Sequence, residues 1–320
     1  MASRLHPSGR APALLGRGLP AFARQVGALV VLLVVTVTLL FFTLRLTGDP
    51  AVVIAGEFAT PEALADIRQR YQLDQPLIVQ YLTFLEQSVR LNLGSSLATG
   101  QSALGMVLAR LPATLTLTVA GSAANLAIAV PAGLWIGSRA AKVDGRLAAL
   151  VAFVFQGLPG YVVALVLIEV ATVRLGLLPS IGGDGGLLSL ILPSLAIASF
   201  LAPKLTRIIA ARVREELESD YATLARAHGA GRIAVLIRHA WPNALLGATA
   251  LFGVQLAGLI NGIVITESIF AWPGVGKLLL DSIIVLDFPV VQAVVIVTTL
   301  LVFLVNSMTD YGLDRIDPRT

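Results

Sequence analysis

Few side chains in this sequence could do chemistry, and their types and spacing exclude most of the familiar kinds. There are three histidines, His6, His228 and His239, and no cysteine, so thiolate metal sites, disulfides and cysteine nucleophiles are ruled out. His228 and His239 are eleven residues apart with no carboxylate close by, a poor set of metal ligands, and no histidine is placed against a serine within an apolar stretch. A phosphate-binding loop needs G-x-x-x-x-G-K-[ST], in which backbone amides cradle phosphates and the hydroxyl holds magnesium. The segment Gly274-Val275-Gly276-Lys277-Leu278 has Ala271 at the first glycine position and a leucine in place of the hydroxyl residue, so no nucleotide site is expected. The turn Gly182-Gly183-Asp184-Gly185-Gly186 lacks the alternating acids and terminal glutamate of a calcium loop and reads as a flexible hairpin.

What remains is a small polar set inside apolar sequence: Glu169, Glu267, Asn125 and Asn261. An acid buried between membrane helices is costly, and carriers driven by ions keep such acids as relays. Both glutamates fall toward the outer ends of their stretches, which predicts a solvated interfacial position, with a midplane relay as the alternative. Whether Glu267 contacts a transported molecule, pairs with Lys277 or is simply solvated stays open. Asn125 and Asn261 lie nearer mid-stretch, where they could line a path, although hydrogen bonding between helices is the commoner use. Asn125, Asn261 and Glu267 are therefore the candidate path residues.

The elements that must position these groups are membrane helices. Of 320 residues 56% are hydrophobic and 13% charged, with a mean hydropathy of +0.85, more apolar surface than a soluble domain could hide. The formal charge of +4 would suit nucleic acid, but no basic run is interleaved with aromatic residues, and no nucleic-acid partner is expected. Residues 1–24 carry four arginines and no acid and read as a disordered basic tail. Val26 to Leu44 contains no charge and is long enough to cross about 30 Å of hydrocarbon. A cleavable signal peptide is disfavoured by that length and by the absence of small residues after it. Residues 47–112 hold six acids and read as a water-exposed insertion, amphipathic from Pro61 to Leu91. Five more apolar stretches follow, at 113–137, 147–173, 187–210, 243–268 and 289–308, giving six spans. Pro131, Pro159, Gly160, Pro193 and Pro203 predict kinks, and the G-x-x-x-G spacing of Gly258 and Gly262 predicts close helix packing. Counting bases on the two sides places 16 of 23 with both termini and the 211–241 loop, so that side is expected to be cytoplasmic and the insertion outside. A tail at 311–320 ends the chain.

The 211–241 loop is the most informative segment. It opens with Glu215, Glu216, Glu218 and Asp220 and continues into a short run in which Tyr221, Leu224, Ala225 and His228 share a helical face before Gly229. Such a helix has little reason to be exposed unless it docks on something, whether a partner or the membrane surface.

Here the sequence resembles the membrane subunits of binding-protein-dependent ABC importers, in particular the dipeptide/oligopeptide/nickel permease group. That family carries an E-A-A-x-x-x-G element in this loop. Thr223-Leu224-Ala225 stand at its first three positions and Gly229 at the glycine, with His239-Ala240-Trp241-Pro242 at the closing element. Thr223 and His239 depart from the general signature. The peptide-permease version is matched better, through Asp220-Tyr221, Ala225-Arg226-Ala227-His228-Gly229 and Asn243-Ala244-Leu245-Leu246. Colinear similarities occur at Leu46-Thr47-Gly48-Asp49-Pro50, Tyr71 to Pro76, Asn92 to Ser96, Arg110 to Thr114, Glu267 to Gly274 and Tyr311 to Pro318.

The resemblance implies an all-α membrane protein of six transmembrane helices with the type I ABC importer transmembrane fold over 25–310, in a bacterial or archaeal inner membrane. It also implies a second homologous six-span subunit, two ATPase subunits that bind ATP and Mg, and an extracytoplasmic solute-binding protein delivering a peptide-like substrate. No cofactor is expected on this chain and no catalytic activity. The coupling residues implied are Asp220, Tyr221, Leu224, Ala225, Arg226, Ala227, Gly229 and Pro242. The rival reading, an ion-driven secondary transporter, would need intramembrane charge that this sequence scarcely has.

Overall fold

In the computed structural model, residues 18–46, 51–52, 59–70, 72–179 and 186–316 are described. Among them every regular element is helical, apart from one isolated bridge between Ser95 and Ser102. Helix α1 spans Gly18–Leu46, and two short helices, α2 (Pro61–Arg70) and α3 (Leu77–Val89), follow before the second long helix. Ser102 caps the long helix α4 (Ala103–Ser138) by accepting from the Gly105 amide at 3.3 Å, one of the orphan donors of a helix start. Helices α5 (Val143–Gln156) and α6 (Gly160–Leu167) flank the Gly157 to Pro159 break, and α6 continues in wider turns through Ile168–Arg174. A 3₁₀ turn, Gly186–Leu190, leads into α7 (Ile191–Leu217). Beyond it lie α8 (Asp220–Ala227) and the single turn α9 (Arg232–Val235), which passes through Leu236–Ala240 into α10 (Trp241–Ile269). Helices α11 (Val275–Ile284) and α12 (Phe288–Ile316) complete the chain.

Helices α1, α4, α7 and α12 are each long and apolar enough to cross a membrane; the count reaches six when two bent pairs, Val143–Gln156 with Gly160–Arg174 and Arg232–Leu245 with Gly247–Ile260, are each one span. The bends are 98° and 47°. The 98° corner corrects the reading of 147–173 as one continuous kinked span: Pro159 has no amide proton, and Gly157 and Gly160 remove side-chain bulk at the turn.

Four other expectations are revised. Residues 18–24, read as tail, belong to α1, while 1–17 lie outside the described residues. Residues 103–112, read as insertion, form the first turns of α4, because the Ser102 cap rather than the first apolar window decides where the helix starts. The loop expected at 211–241 begins later than 211, since α7 carries its charged end on to Leu217. Residues 311–316, read as tail, continue α12; residues 317–320 lie outside the described part.

The most extensive helix pairing is α4 against α7, and glycines make it possible. A Cβ at Gly121 would stand 2.8 Å from Ile197, one at Gly133 2.6 Å from Ile209, and one at Gly137 2.7 Å from the Ala210 carbonyl. In lipid, where no hydrophobic drive pulls helices together, such close approach supplies the van der Waals contact that does. Ala129, Ala202, Leu205, Ile209, Val213, Ala244 and Ala248 then close a core between α4, α7 and α10. A second core joins α1, α4, α11 and α12 through Val37, Val107, Val275, Leu278, Val290 and Val294. Gly258 and Gly262 on α10, where close helix packing is expected, have no such neighbour among the described residues: a Cβ at either would meet nothing within 4 Å.

Candidate functional site

The coupling candidates converge on one short, well-delimited helix. Ser219 caps α8, accepting from the Ala222 amide at 3.4 Å, and Asp220 in the first turn complements the positive end of the helix dipole. At the other end Gly229 adopts φ +87°, and the amides of Gly229 and Ala230 return to the carbonyls of Arg226 and Ala225 at 2.9 and 3.0 Å. This left-handed glycine stop ends the helix where most side chains would be strained. Ala222 is fully buried and anchors α8 to the body, while Leu224 is 60% exposed and Tyr221 38%. Ala225 is half-buried, and Asp220, Arg226, Ala227, Gly229 and Pro242 are exposed, Pro242 in the first turn of α10.

Side chains brace this helix from behind. The Tyr221 hydroxyl donates to the Glu216 carboxylate at the end of α7 and accepts from Asn243 Nδ2 at 3.1 Å on α10. Partial burial, with the Glu216 bond, raises the Tyr221 phenol above its ordinary value, so the hydroxyl remains a donor across physiological pH. Arg226 donates to the Leu217 carbonyl at 2.9 Å and to Thr223 Oγ1 at 3.0 Å. The helix is thus tied to the ends of both α7 and α10, and displacing it moves two spans.

The path candidates separate. Asn125 is fully buried; its Nδ2 donates to Gln255 Oε1 at 3.2 Å, and Gln255 Nε2 donates to the Leu201 carbonyl at 2.9 Å, linking α4, α10 and α7. The side chain of Asn261 lies outside the described residues. Glu267 corrects the expectation of a solvated position, because it is 0% exposed. Its Oε1 accepts from Thr114 Oγ1 at 2.7 Å, and its Oε2 accepts from the amides of Gly276 and Lys277 at 2.7 and 3.0 Å. Thr114 in turn accepts from the Val275 amide at 2.8 Å, and Trp272 Nε1 donates to the Ala113 carbonyl at 2.9 Å. The carboxylate therefore caps the start of α11 and joins it to α4 and α10. Lys277 does not pair with Glu267; its Nζ meets Asp281 at 2.6 Å. Glu169 pairs with Arg174 at 3.0 Å and is half-exposed.

A second buried acid went unnoticed in the sequence. Asp287 is 3% exposed and accepts from Ser96 Oγ and, at 3.1 Å, from the Leu97 amide, pinning the segment before α4 to the start of α12. The only sequence signal was its place before Phe288-Pro289, opposite the Asn92 to Ser96 motif in a segment 190 residues away.

Buried acids that meet hydroxyls and amides, a cross-braced exposed helix, and up to six candidate spans are the features of a multi-pass helical membrane protein. Residues 129–320 match the family described as binding-protein-dependent transport system inner membrane component, and residues 21–118 match that family's N-terminal region. The chain belongs to this family and is a multi-pass membrane protein. It is 31% identical over 295 residues to the glutathione transport system permease protein GsiC of Escherichia coli O6:H1, covering 92% of this chain and 96% of the relative. The GsiC of Salmonella paratyphi A is 32% identical over 299 residues, with the same coverage. Among solved structures, the inward-facing MetNI methionine ABC transporter aligns with a TM-score of 0.57 at 19% identity, covering 66% of this chain and 96% of that one. A crystal structure of an amino acid ABC transporter aligns at 0.51 and 15% identity, covering 66% and 94%. The fold is that of a type I ABC importer membrane subunit.

Proposed function

We propose that this chain forms half of the translocation path of an ATP-driven importer, together with a second homologous six-span subunit, and takes up a peptide-like solute delivered by an extracytoplasmic binding protein. ATP and Mg belong to two partner ATPase subunits, and α8 is the element through which their closure reaches the spans. The observation that carries this reading is the construction of α8: capped at both ends, anchored by Ala222, and exposing Tyr221 and Leu224. An apolar side chain held out from a rigid short helix is suited to a groove on another protein. Closure of that partner would shift α7 and α10 between two arrangements, which is alternating access biased by ligand-dependent state energies. The termini and the α8 loop would face the cytoplasm, in keeping with the distribution of bases. A peptide-like substrate is favoured by similarity to permeases named for glutathione, itself a peptide-like solute.

The test is affinity purification of the tagged chain from its native membrane in mild detergent, beside Gly229→Asp. An ATPase and a second six-span protein should copurify, and the substitution should cut ATPase recovery at least about tenfold, because a side chain at a left-handed position costs ~1–2 kcal/mol and distorts the end of α8. Recovery of the chain alone, under conditions that preserve other membrane complexes, would refute the importer reading.

A further inference from the structure

A cavity of about 520 Å³ opens on the α8 side of the molecule, between the end of α4, the end of α7 and the α8/α9 connection, and its wall contains Ser138, Arg146, Arg214, Glu218, Arg226 and Arg232. Four arginines face one acid. That acid is already engaged, since Glu218 pairs with Arg214 at 3.0 Å. Arg226 bonds only the Leu217 carbonyl and Thr223 hydroxyl, and Arg232 bonds the Ser138 carbonyl. The Arg146 side chain has no partner among the described residues, and neighbouring Asp144 is taken by Arg139, which does not line the cavity. Three guanidiniums thus share a concave space with no carboxylate to balance them, and each has N–H donors left over. A preference for bases on the cytoplasmic side accounts for arginines in loops, but not for their convergence on one cavity.

We propose that this cavity binds a phosphate-bearing anion, the headgroup of an anionic phospholipid in the leaflet on the α8 side. Guanidinium forks match phosphate oxygens in geometry and charge, and the tetrahedral group can be shared among several of them. The cavity wall includes Gly137 and Ser138, where the apolar α4 ends, which puts it at headgroup level. Basic pockets at that depth bind lipid phosphates. The site also faces the body of the molecule rather than the partner-facing side of α8. Arg226 is one helical turn from fully buried Ala222, on the face opposite Leu224, so a protein docked on Leu224 leaves the cavity unblocked. A lipid held here would bridge α4, α7 and the α8/α9 connection, and so touch one of the two spans tied to α8.

The assembled complex, reconstituted in nanodiscs of phosphatidylcholine with or without phosphatidylglycerol, tests this by native mass spectrometry of lipids retained on detergent release. Wild type should retain phosphatidylglycerol over phosphatidylcholine, and Arg146→Gln and Arg232→Gln should each weaken that preference about fivefold, from ~1 kcal/mol per basic residue. Arg146→Gln removes no bond seen in the fold, and Arg207→Gln, outside the cavity, should leave retention unchanged. A second arm adds inorganic phosphate alone and follows thermal stability. Protection by phosphate that is lost in Arg146→Gln, without lipid preference, would keep the phosphate site and make its source soluble. Equal retention of both lipids with no phosphate protection overturns the proposal. So does loss of the ATPase partner in Arg146→Gln with lipid retention intact, which would assign the arginines to a protein contact.

Discussion

Glu267 is held by a hydroxyl from α4 and by two amides at the start of α11, and this geometry decides what the residue does. A carboxylate accepting several charge-assisted bonds out of water is an anchor, and removing its charge should loosen α11. Glu267→Gln replaces one acceptor oxygen by a donor that must face a hydroxyl or amide already donating. We expect it to lower stability by ~1–3 kcal/mol, read as a drop in Tm of the detergent-solubilised protein. Glu169→Gln, which breaks only a half-exposed pair with Arg174, should leave Tm unchanged. Equal effects of the two would show that Glu267 is not the anchor. Gly274 has a related role, because a Cβ there would overlap the Glu267 carboxylate, so Gly274→Ala should resemble Glu267→Gln. Glu267 and Gly274 were visible in the sequence, within the segment that resembles the peptide permeases, but their use was not. Thr114 lies 153 positions from Glu267, and no local periodicity reports such a meeting. Asp287 was missed for the same reason, its partners Ser96 and Leu97 lying far away in the sequence, before α4.

At the level of elements, α8 is legible because everything that defines it is local: a serine cap, an acid in the first turn, a glycine stop and a shared face of Tyr221, Leu224, Ala225 and His228. Its stiffness should be tunable at the ends without touching the exposed face. Ser219→Ala removes the cap and Gly229→Ala forces a side chain into a left-handed turn, each costing ~1 kcal/mol or somewhat more. If a rigid α8 is what an ATPase partner grips, each variant should weaken copurification of that partner by about five- to tenfold, while the chain still inserts and folds. An unchanged yield of ATPase from both would mean that α8 is not the contact. Elements whose definition is not local were harder to read. The first turns of α4 carry Arg110 and Pro112 and fall outside any strongly apolar window, yet Ser102 starts the helix there. Helix α11 was not anticipated, since its start is fixed by a glutamate from the preceding helix rather than by a cap of its own.

Across the whole molecule, the six apolar stretches and the family resemblance made the architecture readable, whereas the surfaces that complete the assembly lie outside any single chain. Helix α10 carries one such surface. Val254, Gly258, Gly262 and Ile265 fall on one face, Val254 being 67% and Ile265 56% exposed, and a Cβ at either glycine would meet nothing within 4 Å among the described residues. In a membrane such a face either meets lipid or lets a second helix approach closely, and the G-x-x-x-G spacing favours the helix. The importer reading supplies the occupant, the second six-span subunit. Gly258→Leu fills open space, so this chain alone should keep its Tm, but recovery of the second subunit should fall at least about tenfold, the cost of overpacking a close helix contact being ~1–3 kcal/mol. Because the sequence has no cysteine, the contact can be mapped without background. Gly258→Cys labelled with benzophenone maleimide should photo-crosslink to the second subunit by insertion into its C–H bonds, while Val31→Cys, 63% exposed on the peripheral α1, should not. Crosslinking at Val31 but not at Gly258, with assembly unaffected by Gly258→Leu, would place the partner against the α1 side and leave the glycine face of α10 to lipid.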